Sequence, residues 1–293
     1  MKALVFGSLN IDLVFSVDHT VLPGETINSL GLEKSAGGKG ANQAAALAKA
    51  GMEVAMAGKI GRDGLFLLDL LASFGVDTSR VALYEGATGQ ALIQVDKKGQ
   101  NAIVLYPGGN HRITGEEAEA AFKDFGQGDI IVLQNEILLT AEIMRKARSR
   151  GLRVCLNPSP YDRGVESLPL DLADLLFLNE IEGAALASLE PETPAREILE
   201  ALTGRFPESE IILTAGREGA YYGYKDRREK GDILDLPVAD TTGAGDTFTG
   251  YYIAARAGGS SVKEALRLAC KAASIAVSRK GAMAAIPLKN EVF

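Results

Sequence analysis

Residues 130–157 read IIVLQNEILLTAEIMRKARSRGLRVCLN and place one helical segment between two apolar strands. The strand segments Ile130–Leu133 and Leu152–Leu156 are too apolar to have a solvated face, and Thr140–Ser149 between them has helical periodicity. The alternation continues in three further segments, Leu175–Leu178, Glu180–Ala187 and Ile211–Leu213. Buried strands separated by helices predict an α/β fold with a mainly parallel sheet that is covered on both sides.

Polar residues follow these strands at the points where the strands end. They are Gln134-Asn-Glu136, Asn157, Asn179 and Thr214-Ala-Gly216. Ligands of open parallel sheets bind beyond the carboxyl ends of the strands. We therefore expect a binding site along this edge of the sheet.

A second, smaller sheet is predicted from segments that mix polar and apolar residues. They are Ile11–Val17, Ile27–Lys34, Ala91–Val95 and Ala102–Tyr106, the last two flanking the turn-like Asp96–Gln100 as in a hairpin. We expect a lid of residues 11–36 and 90–106 on a core of residues 1–10, 37–89 and 107–293. A lid that closes over the site would exclude water from the reaction. Its exposed edges suggest a homodimer through the lid.

The composition narrows the class of partner. The net charge of −7 and the pI near 5.1 argue against a nucleic-acid or membrane surface and favour a small-molecule ligand. Cys155 and Cys270 are too few for a disulfide framework and lack metal-ligand spacing, so both are expected to be buried. The first residues contain only a short apolar run, and we expect a cytoplasmic protein.

The segment Asp240-Thr-Thr-Gly-Ala-Gly-Asp246 precedes a run of helix-compatible residues and predicts an anion site. The amides of Gly243, Ala244, Gly245 and Asp246 would be the free donors of a first helical turn. An aspartate among such donors repels a phosphate but suits a general base, which takes a proton from an attacking hydroxyl during phosphoryl transfer. An ordinary acidic first turn after a glycine turn is the alternative from this segment alone.

Two segments near the N-terminus suit a hydroxyl-rich ligand. Asn10 and Asp12 point the same way in an extended chain, and an amide beside a carboxylate can bind vicinal hydroxyls. Gly37-Gly-Lys-Gly-Ala-Asn-Gln43 opens a small-residue helix over Ala41–Ala50, with Lys39 as a cation and Asn42 as a hydrogen bonder. A polar strand edge and a glycine-rich turn are the plain structural alternatives.

Two later segments have equally strong structural alternatives. Asn179 and Glu182 have the spacing of a capping box, and they equally suit a role in orienting the water shell of Mg²⁺ on nucleotide phosphates. Thr214-Ala-Gly-Arg-Glu-Gly219 joins two strand-like runs as either a plain hairpin or a nucleotide cradle.

Together, these motifs resemble those of the ribokinase-like, or PfkB, carbohydrate kinases. The segments Gly37–Gln43, Asn179–Glu182 and Asp240–Gly250 occur in the family's order, and the likeness covers nearly the whole chain. Shorter units resemble the ribokinase branch of the family more than its fructokinase and adenosine kinase branches. They are Asn10–Asp12, Gly24–Thr26, Gly61–Asp63, Gly108–Asn110 and Arg279–Ala282.

The resemblance implies roles for individual residues. Asp246 matches the catalytic base, and Gly243, Ala244 and Gly245 match the anion hole. The sugar-binding positions are Asn10, Asp12, Gly38, Lys39, Asn42 and Glu136, together with Asp246. The ATP positions are Asn179, Thr214, Gly216, Arg217, Gly219, Gly245 and Cys270, with Glu182 on the Mg²⁺ side. A K⁺-like cation is implied beside Asp240, Thr242, Ala276, Arg279, Gly281 and Ala285. Cys270 and Ala285 depart from the pattern of the ribokinase branch, which has a histidine near adenine and a serine near the cation at these positions.

The implied reaction is ATP-dependent phosphorylation of a sugar primary hydroxyl, with C5 of D-ribose as the first candidate. The same chemistry on fructose, a deoxysugar or a nucleoside is the alternative. A non-catalytic sugar or nucleotide sensor is the alternative from another functional class, although a sensor has no use for a base at position 246.

Overall fold

The computed structural model describes residues 1–293. Its strands are β1 (Ala3–Phe6), β2 (Asn10–Ser16), β3 (Gly31–Gly37), β4 (Val54–Ile60), β5 (Asp77–Leu83), β6 (Gly89–Val95), β7 (Asn101–Tyr106), β8 (Ile130–Gln134), β9 (Arg153–Asn157), β10 (Leu175–Asn179), β11 (Glu210–Thr214), β12 (Ala220–Tyr224) and β13 (Arg227–Gly231). Its α-helices are α1 (Lys39–Lys49), α2 (Leu65–Ser73), α3 (Gly115–Ala121), α4 (Thr140–Ser149), α5 (Glu180–Ala187), α6 (Ala195–Arg205), α7 (Ala244–Ala257), α8 (Val262–Val277) and α9 (Lys289–Val292).

Nine strands form one sheet in the order β13-β12-β11-β10-β9-β8-β1-β4-β5. The pairs from β11 to β5 are parallel, and β12 and β13 extend the sheet as antiparallel edge strands. The prediction of a mainly parallel sheet is confirmed. No helix combines the length and the apolar composition that crossing a bilayer requires.

Alternate residues along the parallel strands contribute to two separate cores. Val5, Val132 and Phe177 pack under α1, α2, α7 and α8, whereas Leu4 and Leu133 pack under α3 to α6. Because neighbouring side chains of a strand point to opposite faces, strands buried on both faces must be apolar throughout. This explains why these segments carry continuous apolar runs.

A separate four-stranded sheet has the order β3-β2-β6-β7, with β2 and β6 parallel and the outer pairs antiparallel. The predicted hairpin is present, since β6 and β7 pair across the turn at residues 96–100. The predicted strand Ile27–Lys34 was wrong in position, because β3 covers Gly31–Gly37 instead. Its register with β2 places Gly37 opposite Asn10 and the Asp12 carboxylate over Gly37.

Close packing of α1 on α7 joins the two motifs that lie farthest apart in the sequence. A Cβ at Gly250 would stand 2.5 Å from the Cβ of Ala46, so only glycine permits this approach. The contact brings the first turn of α1 against the first turn of α7. It does so beside the carboxyl ends of β1 and β8 to β11.

Candidate active site

The first turn of α7 offers unpaired main-chain donors. Gly243 precedes the helix with φ of 72°, a left-handed conformation that favours glycine. The amides of Gly243, Gly245 and Asp246 donate to no protein group, whereas that of Ala244 donates to the Thr241 carbonyl at 3.3 Å. The predicted anion loop is therefore open at three of its four positions.

The Asp246 carboxylate lies inside this turn and is only 7% exposed. Its Oδ2 accepts a hydrogen bond from Asn42 Nδ2 at 3.0 Å, and its Oδ1 accepts one from Gln43 Nε2 at 2.9 Å. Burial raises the pKa of Asp246, while the charge of Lys39 and these two amides act in the opposite direction. Burial outweighs them, and a carboxylate with a raised pKa beside a cation is typical of a group that exchanges a proton.

Lys39 supplies the positive charge of the site. Burial alone would lower the pKa of this ammonium group, but three carboxylates outweigh burial, and its pKa is raised. They are Asp246, Glu136 and Glu182. Glu136 accepts hydrogen bonds from the Ser8 hydroxyl and from the Lys39 amide, the latter at 3.2 Å, and burial raises its pKa.

The predicted sugar positions form one cluster around these charges. Asn10 is 6% exposed, and its Oδ1 accepts from Asn110 Nδ2 at 2.7 Å. Burial, followed by the charge of Glu136, raises the pKa of Asp12 to about 7. Gly38, with φ of 93°, turns the chain from β3 into α1. Asn42 Oδ1 is buried without a hydrogen-bond partner and can still accept from a hydroxyl.

A cavity of about 470 Å³ begins at Asp246 and runs along the carboxyl ends of the strands. Its wall includes the anion loop, Lys39, and residues that follow β9, β10 and β11. Of the predicted nucleotide positions, Asn179, Thr214, Gly216 and Gly245 line it, as does Glu182. Asp246 lines the same cavity and touches Asn42, so the predicted base stands where the sugar cluster meets the cavity.

The structural alternative for Asn179 and Glu182 is present as well. Asn179 Oδ1 accepts from the Glu182 amide at 2.8 Å, and Glu182 Oε2 accepts from the Asn179 amide at 3.1 Å. This capping box fixes the start of α5. It also holds the Glu182 carboxylate, only 6% exposed, at the cavity wall. The cap and a role at the cavity are therefore compatible.

Three predicted nucleotide positions do not line the cavity. Arg217 is exposed on the short turn between β11 and β12. Gly219 is buried, and a Cβ there would stand 2.1 Å from the Gly231 carbonyl oxygen, which gives this glycine a packing role. The Cys270 thiol is buried against the same carbonyl at 3.5 Å, and its pKa is raised by burial to about 12.

The predicted cation positions converge on one loop pair beside the anion loop. Asp240 Oδ1 accepts from the Thr242 amide and hydroxyl at 2.9 and 2.7 Å, and its Oδ2 accepts from the Gly281 amide at 3.0 Å. The Ala276 carbonyl, at the end of α8, accepts from the Arg279 amide. Ala285 is buried, its amide bonded to the Ala282 carbonyl within the same loop.

The model of the family described as "pfkB family carbohydrate kinase" matches residues 1–289 of the chain. The chain belongs to this family. A ribokinase of Haemophilus influenzae is 34% identical over 99% of this chain and 96% of its own length. The fold of this carbohydrate kinase is similar to that of ribokinase from Cryptococcus neoformans in complex with ADP, with a TM-score of 0.88, 34% identity and coverage of 99% and 98%. It is also similar to Arabidopsis thaliana ribokinase complexed with ribose and ATP, with a TM-score of 0.85, 29% identity and coverage of 99% and 97%.

No individual role was predicted from the sequence for several residues of this kinase's site. The buried Gln43 and Gln134 and the half-buried Asn157 form an amide chain that ends at Asp246. Ser8 and Asn110 hold Glu136 and Asn10. Gln134 and Asn157 did stand out as polar ends of apolar strands. Gln43 gave only a weak signal, as a polar side chain between Asn42 and a run of three alanines in α1.

Proposed function

We propose that this carbohydrate kinase transfers the γ-phosphoryl group of ATP to the 5-hydroxyl of D-ribose. The observation that carries the proposal is the Asp246 carboxylate, buried in a helical turn with unpaired amides at the end of a cavity. The names of the Haemophilus, Cryptococcus and Arabidopsis relatives support ribose as acceptor, and the ADP and ATP in two of those structures support the donor.

In the proposed reaction, Asp246 removes the proton of the 5-hydroxyl as its oxygen attacks the γ-phosphorus. A new oxygen–phosphorus bond forms, and the bond between the γ-phosphorus and the bridging oxygen breaks, leaving its electron pair on ADP. The free amides at Gly243, Gly245 and Asp246 face the charge on the transferred group, and Lys39 adds a cation. Phosphoryl transfer depends mainly on such positioning and charge stabilisation.

The ribose would be held by the cluster that adjoins the base. We assign its hydroxyls to Asn10, Asp12, Asn42 and Glu136, with the backbone at Gly38 and Lys39 close by. The unpaired Asn42 Oδ1 supports this assignment, because a buried oxygen without a partner is costly until a ligand donates to it. The nucleotide would lie along the cavity, past Asn179, Thr214 and Gly216. We also assign Arg217, Gly219 and Cys270, which do not line the cavity, to the nucleotide site.

Two ions belong to the proposal. Mg²⁺ keeps most of its waters and prefers oxygen ligands, which suits the buried Glu182 carboxylate at the cavity wall as a holder of its water shell. When bound, it would neutralise phosphate charge. A K⁺-like ion would be held by Asp240, Thr242 and the loops at Ala276, Arg279, Gly281 and Ala285. These loops offer carboxylate, hydroxyl and carbonyl oxygens beside the anion loop.

We further propose that residues 11–36 and 90–106 act as a lid and pair two copies of the chain. The edge strand β7 supports this, since it exposes Ile103, Val104, Leu105 and Tyr106 by 49–65%. Exposed apolar edges of this kind are prone to pairing. Sedimentation velocity should show a dimer that Val104→Glu converts to monomer, and a monomeric natural protein would remove this part of the proposal.

The proposed compartment is the cytoplasm, where ATP is the common phosphoryl donor. Both cysteines are free and buried, which accords with a reducing compartment.

A panel of acceptors tests the proposed function. Purified protein, ATP and Mg²⁺ are mixed with D-ribose, 2-deoxyribose, fructose or a nucleoside, and ADP release is followed. We expect ADP only when an acceptor is present, with ribose giving the highest kcat/KM. Omitting Mg²⁺ should abolish the signal, and replacing K⁺ by a bulky organic cation should reduce it.

The other outcomes of the panel separate the alternatives. If ribose were among the poorest acceptors, the kinase chemistry would stand, and the acceptor would have to be another sugar or a nucleoside. If the protein bound sugar or ATP but did not release ADP with any acceptor of the panel, the result would favour the sensor.

A further inference from the structure

Gln43 is a buried residue whose side chain is fully engaged in hydrogen bonds. It is 0% exposed, and its Nε2 donates to Asp246 Oδ1 at 2.9 Å and to Asn157 Oδ1 at 3.3 Å. Its Oε1 accepts from Gln134 Nε2 at 2.7 Å, and Gln134 is equally buried. Neither glutamine lines the cavity, so neither is placed to bind a ligand.

The direction of this amide chain is set by its far end. Asn157 Nδ2 donates to the main-chain carbonyl of Phe177 at 2.9 Å, and a carbonyl can only accept. The side-chain oxygen of Asn157 must therefore face Gln43, and Gln43 must donate to it from its NH₂ group. The Gln134 Nε2 contact with Gln43 agrees with this orientation but does not set it, because Gln134 Oε1 is buried without a hydrogen-bond partner. Asp246 Oδ1 consequently faces a donor that cannot be exchanged for an acceptor.

The second oxygen of Asp246 has a different neighbour. Asn42 Nδ2 donates to Oδ2 at 3.0 Å, but Asn42 Oδ1 has no protein partner to hold its amide in that orientation. A ribose hydroxyl bound there can both donate and accept, so it permits either orientation of the amide. If the Asn42 amide turned by half a rotation, its oxygen would accept from a proton on Oδ2. A proton on Oδ1 would instead meet the fixed N–H of Gln43 and remove a hydrogen bond.

We propose that Gln43 is the positioning residue of the base and selects Oδ2 of Asp246 as the oxygen that receives the proton of the sugar hydroxyl. The inference rests on the proposed role of Asp246. Gln43 holds one oxygen as a permanent acceptor, and the oxygen shared with Asn42 takes the proton. Once Oδ2 is protonated, the Asn42 side chain turns and accepts a hydrogen bond from Oδ2 instead of donating one.

The charged groups that face Asp246 influence how far its pKa moves when the Gln43 hydrogen bond is lost. They are Lys39 on α1, Glu136 after β8 and Glu182 on α5. Burial raises the pKa of Asp246, and the Gln43 hydrogen bond acts in the opposite direction because it stabilises the ionised form. Loss of that bond leaves less ionised carboxylate at neutral pH, and higher pH restores part of it.

The test is the pH profile of kcat for Gln43→Met, which keeps the side-chain length and removes the amide. We expect kcat at pH 7 to fall about tenfold or more, with KM for ribose changed less than about threefold, and the acid limb to move to higher pH. Thr203→Val is the control for a lost buried hydrogen bond, since the Thr203 hydroxyl donates to the Leu199 carbonyl far from the cavity. Its acid limb should match that of the natural protein.

An unchanged kcat would overturn the inference. A loss of equal size at every pH would overturn it as well, because a purely structural defect lowers kcat without moving the acid limb of the pH profile. If Gln43→Met does not fold, Gln43→Glu serves with the same criteria, since it retains the shape and places a second carboxylate against Oδ1. The proposed function fails separately, if Asp246→Asn remains active. An inactive Asp246→Asn beside an unshifted Gln43 variant would overturn only the role of Gln43.

Discussion

Asp246→Asn is expected to bind ribose and ATP nearly as tightly as the natural protein and to turn over at least about a hundredfold more slowly, because the loss of a general base typically costs about 10² to 10⁴ in rate. The amide has the size of the carboxylate and fits the same buried space. It cannot remove a proton from a hydroxyl. The natural side chain can, because Asn42 and Gln43 hold it as an acceptor inside the first turn of α7.

Titration calorimetry for the two substrates and steady-state kinetics on the same preparation separate binding from turnover. Asp69→Asn is the matched control, since it makes the same chemical change at an exposed position on α2. It should leave kcat within about twofold of the natural value, as distant surface substitutions do. Near-normal turnover of Asp246→Asn would remove Asp246 from the role of base.

Gly245→Ala should leave the fold intact and lower kcat/KM for ATP by about a hundredfold or more, the scale of losing one donor to a developing anion. Gly245 lines the cavity within the first turn of α7, and a Cβ there would meet no atom within 4 Å. The protein therefore has room for the methyl group. In the proposed complex the phosphoryl group occupies this space, because it approaches the main chain at Gly245.

Gly204→Ala in α6 is the matched control, because a Cβ at that exposed glycine also meets no atom within 4 Å. Both variants should melt at or slightly above the temperature of the natural protein, since alanine favours a helix over glycine by about 0.5–1 kcal/mol. Only Gly245→Ala should lose activity. Equal activities for the two variants would mean that no phosphate approaches residue 245.

The large sheet was predictable because its signal is local. Segments such as Ile130–Leu133 and Leu175–Leu178 are apolar throughout, and a strand buried on both faces must be so. The start of α5 was equally predictable from the sequence, since Asn179 and Glu182 have the spacing of a capping box, and the structure contains that capping box. Each of these signals lies within a few residues of the feature that it predicts.

The position of β3 was not predictable in the same way. Residues 27–30 resemble a strand locally, but pairing with β2 sets the register through contacts such as Asp12 over Gly37. Gln43 was missed for a related reason. Its partner Asp246 is 203 positions away, and the two meet only because Gly250 lets α7 approach α1. Neither contact leaves a pattern within a short window of sequence.

The most direct test of Asp246 as the base is a structure of the complex with ribose and a non-hydrolysable ATP analogue. We expect the 5-hydroxyl oxygen to lie within about 2.6–3.2 Å of Asp246 Oδ2, on the side facing the γ-phosphate, with Gln43 still bonded to Oδ1. A 5-hydroxyl placed instead beside Asp12 or Glu136, with Asp246 out of reach of both substrates, would contradict this role of Asp246.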